Sequence, residues 1–348
     1  MGSRHGGYTR ILRVYPRDYP RDELLGTLLA AAPPGRTGPS AREAANLLRH
    51  GLRARLGRPG SRTVVFWALA TALIGGLFGA AFATRAGWET VQPLPGAAQT
   101  RAMAAVAAPD APWGNASRPP TAAFLIYGSP LSVHSLRDLL LGDGGEYAQA
   151  TTGTWAPGGP GADPAGAIAA ASDHLEAAGW TVYPAVDDGA GGFTLVARRG
   201  TLVLDLDAYG HSTADTTFLS AEFQRTTPAA VWPCGIAGGL LAGLAAFLLF
   251  GWASRRTDAD EHPARGSVKA CFGLALLLWW APTLFAVPLM VKHHLEMPHP
   301  SWHPMWEWFG QPTFSLFFVV GGGLGLLALA LAALPRRYPR AATRPTEA

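Results

Sequence analysis

Four stretches of this chain, residues 63–84, 229–253, 271–291 and 313–334, contain no Asp, Glu, Lys, Arg or His. Each has about the 20 residues that an α-helix needs to cross a hydrocarbon core. A soluble helix of that length shows a polar stripe or a charge where it meets water. These show neither, so each is read as a transmembrane helix. They explain why only 15% of the 348 residues are charged, against roughly 25% in soluble domains. The third span, drawn from 268 to 291, holds Pro282 and Pro288. Neighbouring helices can satisfy the carbonyls that proline frees, so a kink is expected there rather than a break. Ahead of the first span stand 62 residues, far more than a signal-peptide n-region, so that span is read as retained.

Arginine placement sets the expected orientation, because basic loops stay cytoplasmic. Residues 1–62 carry 12 Arg against 4 acids and residues 335–348 carry 4 against 1, so both termini are expected inside. Residues 85–228 carry 7 Arg against 14 acids and are expected outside. The 254–267 loop balances 3 against 3 and places Arg255 and Arg256 beside the membrane, as a cytoplasmic loop would. The expectation is a multi-pass protein of the cell membrane with N- and C-termini cytoplasmic. Cys234 and Cys271 fall at opposite membrane depths, too far apart to pair.

The acidic external segment divides. Residues 85–120, rich in Ala and Pro, are read as a linker unable to bury enough surface to fold alone. Residues 121–227 are read as an α+β domain. In it, 122–127 reads as a strand and 132–141 as a short helix. Asp163 and Pro164 cap a firmer helix that Gly179 stops. The alternation of residues 201–208 sets Leu202, Leu204 and Leu206 against Val203, Asp205 and Asp207. Residues 193–198 are expected to pair with this strand through an Arg199-Gly200 turn, and residues 217–224 to add another. Trp180, Val182, Leu195 and Phe223 are the expected core. The fold class is thus a four-helix integral membrane protein with an α+β extracytoplasmic domain. Residues 292–312 form a second external loop.

The amino-terminal 62 residues read as a cytoplasmic helical unit. Ser40 and Glu43 make a capping box, and Leu47, Leu48, Leu52 and Leu56 supply an apolar stripe. Arg49, Arg53, Arg55 and Arg58 would suit an anionic inner leaflet, although a basic flank that sets topology is the simpler reading of them. Leu12-Arg13-Val14-Tyr15-Pro16, then Asp22-Glu23-Leu24-Leu25 and the Arg/Leu helix over 41–56, resembles the permease-prefix-type segment of bacterial membrane proteins. That resemblance implies membrane association and no particular activity. In style the whole chain is similar to four-helix membrane proteins of actinobacteria.

Candidate chemistry is sparse. His293, His294, His299 and His303 fall within eleven residues, near Glu296 and Met297, but prolines break the regular spacing that metal sites show, so no metal or cofactor is assigned. Trp302, Trp306 and Trp308 in the same loop resemble the tryptophan-rich signature of haem-handling cytochrome c assembly proteins. His303 and Phe309 depart from that signature, and an aromatic belt at headgroup level explains the rings. Asp205 and Asp207, with His211 and Asp215 nearby, would share a strand face as solvated carboxylates. His134 and His174 are expected on the surface without partners. No catalytic residue is assigned, and an enzyme is not expected. The four apolar stretches hold no Asp, Glu, Lys, Arg or His, which argues against an ion-coupled transporter. Gly75, Gly79, Gly235, Gly239, Gly243, Gly321 and Gly325 favour close helix packing, within the chain or in a homo-oligomer.

The expected function is therefore presentation of the external domain for ligand sensing or for contact with a membrane or envelope protein, with the lipid bilayer as solvent and no nucleic acid. An accessory subunit of a permease is the alternative, and a metal- or haem-interacting protein acting through 292–312 a weaker one.

Overall fold

Alternating leucines build the centre of a sheet. The computed structural model describes residues 6–33, 36, 38–90, 93–117, 152–160, 163–187, 189–211, 216–258, 262–296, 304–310 and 312–335. These divide into two compact units: Leu77–Leu240 with Trp280–Phe318, and Met1–Gly76 with Leu241–Trp279 and Val319–Ala348.

In the first unit, β4 (Gly192–Arg199), β5 (Leu202–His211) and β6 (Thr216–Arg225) pair antiparallel in sequence. Gly200, at φ 64°, takes the left-handed backbone that the tight β4–β5 turn requires. Short strands β2 (Thr181–Val182) and β3 (Val186–Asp187) both pair with β4, and β1 (Thr152–Pro160) closes the other edge against β6. On one face Leu195, Ala197, Leu204, Leu206, Ala221 and Phe223 are buried under helix α6 (Pro164–Ala177), which contributes Ile168, Ala171 and Leu175. Asp163 caps α6 by accepting from the Ala165 and Gly166 N–H groups, and Gly179 ends it at φ 80°. Trp180, Leu195 and Phe223 are core residues as expected, while Val182 packs at the margin.

Two elements correct the reading of this region. The stretch expected as a linker carries helix α5 (Ala97–Ala107), whose Ala104 and Ala107 join the same core. Alanine is the best helix former, and its small side chain lets α5 lie close to its neighbours. Thr100 Oγ1 meets Thr152 Oγ1 at 3.1 Å and ties α5 to β1. Strand β1 itself, Thr-Gly-Thr-Trp-Ala-Pro-Gly-Gly-Pro, lacks strand composition. It is tolerated at the sheet edge, where proline removes no needed donor, and its register shifts between Pro157 and Pro160. The expected strand at 122–127 and helix at 132–141 lie outside the described residues.

The second unit holds α1 (Gly6–Leu12), α2 (Arg21–Ala31) and α3 (Ala41–Arg55). Tyr8, Leu12, Tyr15 and Leu47 are buried there. Burial, then the neighbouring Tyr19, pushes the Tyr15 hydroxyl above its usual range. Gly51 matters because a Cβ would stand 3.0 Å from the Tyr15 ring. The Ser40–Glu43 capping box forms as read, with Ser40 N–H donating to Glu43 Oε2 at 2.7 Å and Glu43 N–H to Ser40 Oγ at 3.3 Å. Those bonds, and Arg36 to a lesser degree, hold the Glu43 carboxyl below its ordinary value. Leu48, expected in the apolar stripe, is exposed.

Several arginines in this unit are tied to protein rather than left to face lipid. Arg55 donates to the Val14 and Arg13 carbonyls, and Arg255 Nη1 donates to the Arg55 carbonyl at 2.7 Å. Arg58 bonds Ser254 Oγ at 3.0 Å and Thr257 Oγ1 at 3.2 Å, with Asp258 at 3.9 Å. Arg256 donates to the Ala332 and Ala333 carbonyls at 2.8 and 3.0 Å. These carbonyls end a helix and have no intrahelical donors, so an arginine satisfies two at once.

Among the described residues, three helices are long and apolar enough to cross a membrane, Val64–Trp88, Val231–Arg256 and Arg265–Leu284, the last being part of a longer helix that holds Pro282 and Pro288 and runs to Glu296. We label these α4, α7 and α8. A further apolar helix, α9, spans Pro312–Ala332. Leu240 and Leu241 on α7 are 71% and 70% exposed, which a water-facing surface would not tolerate in such number. Small residues let α4 and α7 approach closely: a Cβ on Gly75 would stand 2.8 Å from Ala246 Cβ, and one on Gly243 3.0 Å from the Ala72 carbonyl oxygen. Helix α4 outruns the expected 63–84 by four residues, and α8 takes up the start of the 292–312 loop.

Candidate functional site

Strand alternation sends to one face of the sheet whatever the core does not take. Opposite α5 and α6, β5 carries buried Val203, half-buried Asp205 and Asp207, and exposed Tyr209. Residues paired across antiparallel strands share a face, so the register sets their neighbours. Asp205 lies between Glu222 and Val196, and Asp207 between Ser220 and Thr194. Ser220 in turn lies beside Trp155 of β1, and Tyr209 beside Phe218.

Two of the carboxylates are held in place. Asp207 Oδ1 accepts from Thr194 Oγ1 at 2.7 Å, and Asp205 Oδ2 accepts from Gln224 Nε2. Loss of hydration beside the sheet, then the Asp207 charge, raises the Glu222 carboxyl above its ordinary 4.5, only modestly since the residue as a whole is exposed to water. Tyr209 and Phe218 stack at 6.0 Å between centroids with 19° between planes. Trp155 is 57% and Tyr209 45% exposed, so two rings and three carboxylates share one surface. Carboxylates accept from hydroxyl or ammonium donors, and ring faces attract cations. Such a surface suits a polar or cationic partner.

A second constellation stands where β6 leads into α7. Trp88, the last residue of α4, donates its indole N–H to Glu307 Oε1 at 2.7 Å, and the guanidinium of Arg225 lies 5.6 Å from the Trp88 ring centroid. Glu307 is fully buried on a 3-10 helix, Met305–Gly310. Gly87 permits this approach, since a Cβ there would meet Val231 Cα at 2.6 Å. Trp306 packs edge-on to Trp232 at 5.5 Å, and Phe309 edge-on to Phe78 at 5.2 Å. Trp306, expected in an aromatic belt, thus packs against the exposed Trp232. No pattern or spacing marks Glu307, the only acid between two tryptophans, as a buried hydrogen-bond acceptor.

His293 and His294 fall on the last turns of α8, whereas His299, His303 and Trp302 lie outside the described residues. Among the described residues no group of three or more His, Cys, Asp or Glu is placed to hold a metal ion. His211 ends β5, and Asp215 and His134 lie outside the described residues. His174, expected without a partner, meets the carbonyl of Ala107 at 3.1 Å and fastens α6 to the end of α5. Cys234 and Cys271 are unpaired. No family model, no curated protein and no solved structure matches this chain.

Proposed function

We propose that this chain is a four-span protein of the cell membrane, with both termini cytoplasmic, that presents the sheet unit outside for ligand sensing or contact with an envelope protein. The observation that carries this reading is the pairing of long apolar helices, their leucines exposed, with a folded unit whose face opposite α5 and α6 gathers Trp155, Tyr209, Asp205, Asp207 and Glu222. The arginine excess of both ends and the acidic middle support the orientation. On this reading the protein is not an enzyme: its carboxylates are oriented for recognition.

Two experiments test it. Single cysteines placed at Asp187 and Arg42, in a background without Cys234 and Cys271, are labelled on intact cells with a membrane-impermeant maleimide. Labelling at 187 and protection at 42 are expected, and the reverse pattern overturns the topology. The full chain is also cross-linked in native membranes, with and without Trp155→Ala/Tyr209→Ala. A partner lost from the double variant is expected; an unchanged set of cross-links removes the sheet face from the proposal.

An accessory subunit of a permease is the second reading. It is favoured by the amino-terminal unit, whose Arg55 and Arg58 engage the end of α7. Co-purification of a transporter subunit from native membranes separates this reading from the first.

A further inference from the structure

Arg49 and Arg53 sit one helical turn apart on α3, and both reach toward a single acceptor. Their Nη2 atoms lie 3.2 and 3.4 Å from the carbonyl oxygen of Arg62, two residues before α4 begins. Arg53 is only 8% exposed, and its Nε is buried without a hydrogen-bond acceptor. Among the described residues no carboxylate lies within 4 Å of Arg49, Arg53 or Arg62, whereas nearby Arg36 pairs with Glu43 and Arg58 with Asp258. A buried guanidinium is ordinarily paired, because removing its charge from water is costly without an anion. One neutral carbonyl shared by two cations does not supply that anion.

The surroundings define what anion would fit. Ser61 Oγ accepts from the Val64 N–H at 3.2 Å and opens α4, so the positive end of a 25-residue helix dipole lies beside the three arginines. On the first turn of α4, Phe66 and Trp67 are 62% and 45% exposed and pack edge to face at 5.0 Å. Arginine forks match phosphate oxygens in pairs, and aromatic side chains of this kind settle at the junction of headgroups and acyl chains. A free phosphate would use the arginines and gain nothing from the rings. A phospholipid uses both.

We propose that Arg49, Arg53 and Arg62 hold the phosphate of one anionic phospholipid, with Phe66 and Trp67 against its glycerol and upper acyl chains. This rests on the membrane reading and deepens it, because it gives the arginine-rich amino terminus a specific lipid ligand. Arg49 and Arg53, whose Nη2 atoms already converge on one carbonyl, supply the fork that meets the phosphate, and the exposed Arg62 closes over the headgroup.

The test uses the full chain purified in mild detergent and examined by native mass spectrometry during titration with phosphatidylglycerol or, separately, phosphatidylcholine of the same acyl chains. One phosphatidylglycerol is expected to be retained about thirtyfold more strongly than phosphatidylcholine. Arg49→Gln/Arg53→Gln is expected to abolish that preference, and Arg10→Gln, a change to an exposed arginine of α1, to leave it intact. Millimolar inorganic phosphate is expected not to displace the lipid. Equal retention of the two lipids, a preference that survives the double substitution, or displacement by inorganic phosphate each overturns the proposal. Should the double variant lose its helical circular dichroism, Arg49→Gln alone carries the test, with about a fivefold loss expected and unchanged retention counting against the site. Fractionation separates the two claims. A chain that needs detergent for extraction but shows no lipid preference loses only the lipid site, whereas one soluble without detergent loses the membrane reading itself.

Discussion

The indole N–H of Trp88 donates to Glu307 Oε1 at 2.7 Å, joining residues 219 positions apart while both are buried. Helix α4 therefore ends on the 3-10 helix that precedes α9. A buried acceptor deprived of its donor costs about 1–3 kcal/mol. Trp88→Phe, which keeps a ring for Arg225 but removes the N–H, is expected to lower stability by that amount. Glu307→Gln, which keeps an acceptor oxygen, is expected to cost less. Thermal unfolding of the purified chain, followed by circular dichroism, measures both; equal losses would mean that ring packing outweighs the bond.

Gly87→Ala would drive a Cβ to 2.6 Å from Val231 Cα, a backbone atom that cannot rotate away. The expected cost is about 3 kcal/mol or more. Gly322→Ala is the control, since a Cβ there meets nothing within 4 Å. It is expected to leave stability unchanged or raised by up to about 1 kcal/mol through helix propensity. Parallel melting curves of the two variants check the contrast.

Glu222 offers a pH test. Its carboxyl is raised in the folded state, chiefly by lost hydration and then by Asp207, so ionisation opposes folding. Whatever stability the protonated form confers is complete below the unfolded value of 4.5 and is lost as pH rises through the higher folded value. Glu222→Gln is therefore expected to be more stable than the parent at neutral pH by about 0.5 kcal/mol or less, because solvent screens the exposed carboxyl. That advantage shrinks on acidification. Denaturant melts of both proteins across the acid range report it, and a constant difference would exclude the carboxyl as its source.

Arg55 carries the carbonyls of Arg13 and Val14. Arg55→Ala is expected to destabilise the α1–α3 unit by about 1–2 kcal/mol. The readout is local: trypsin cleavage after Arg13 and Arg17 in the full chain accelerates, while cleavage after Arg198 keeps its rate. Uniform acceleration would indicate global unfolding instead.

Much of this architecture is legible in the residues before any coordinates. Leu202, Leu204 and Leu206 announce β5 because period-two alternation is a local property of a half-buried strand. Asp163-Pro164 and Gly179 bracket α6 because caps act within a turn. Helix α5 and strand β1 escape such reading. An Ala-rich segment and a Gly/Pro-rich one have no apolar periodicity of their own, and only the closed core reveals that Ala104, Ala107 and Ala156 pack inside it.

The candidate sites divide the same way. Asp205 and Asp207 are visible as one strand face, but their neighbours Thr194, Glu222 and Gln224 come from strand register. Arg53 and Arg55 look alike in sequence, yet one is buried against the Arg62 carbonyl and the other clamps Arg13 and Val14. By itself the sequence determined where apolar helices run, which strands alternate and how charge is distributed, since these depend on composition and spacing within a few turns. Tertiary structure alone decided which carbonyl each arginine meets and that Glu307 is buried beneath Trp88, because a hydrogen bond is settled by which distant backbone and side-chain atoms are brought within about 3 Å, and no local pattern encodes that proximity.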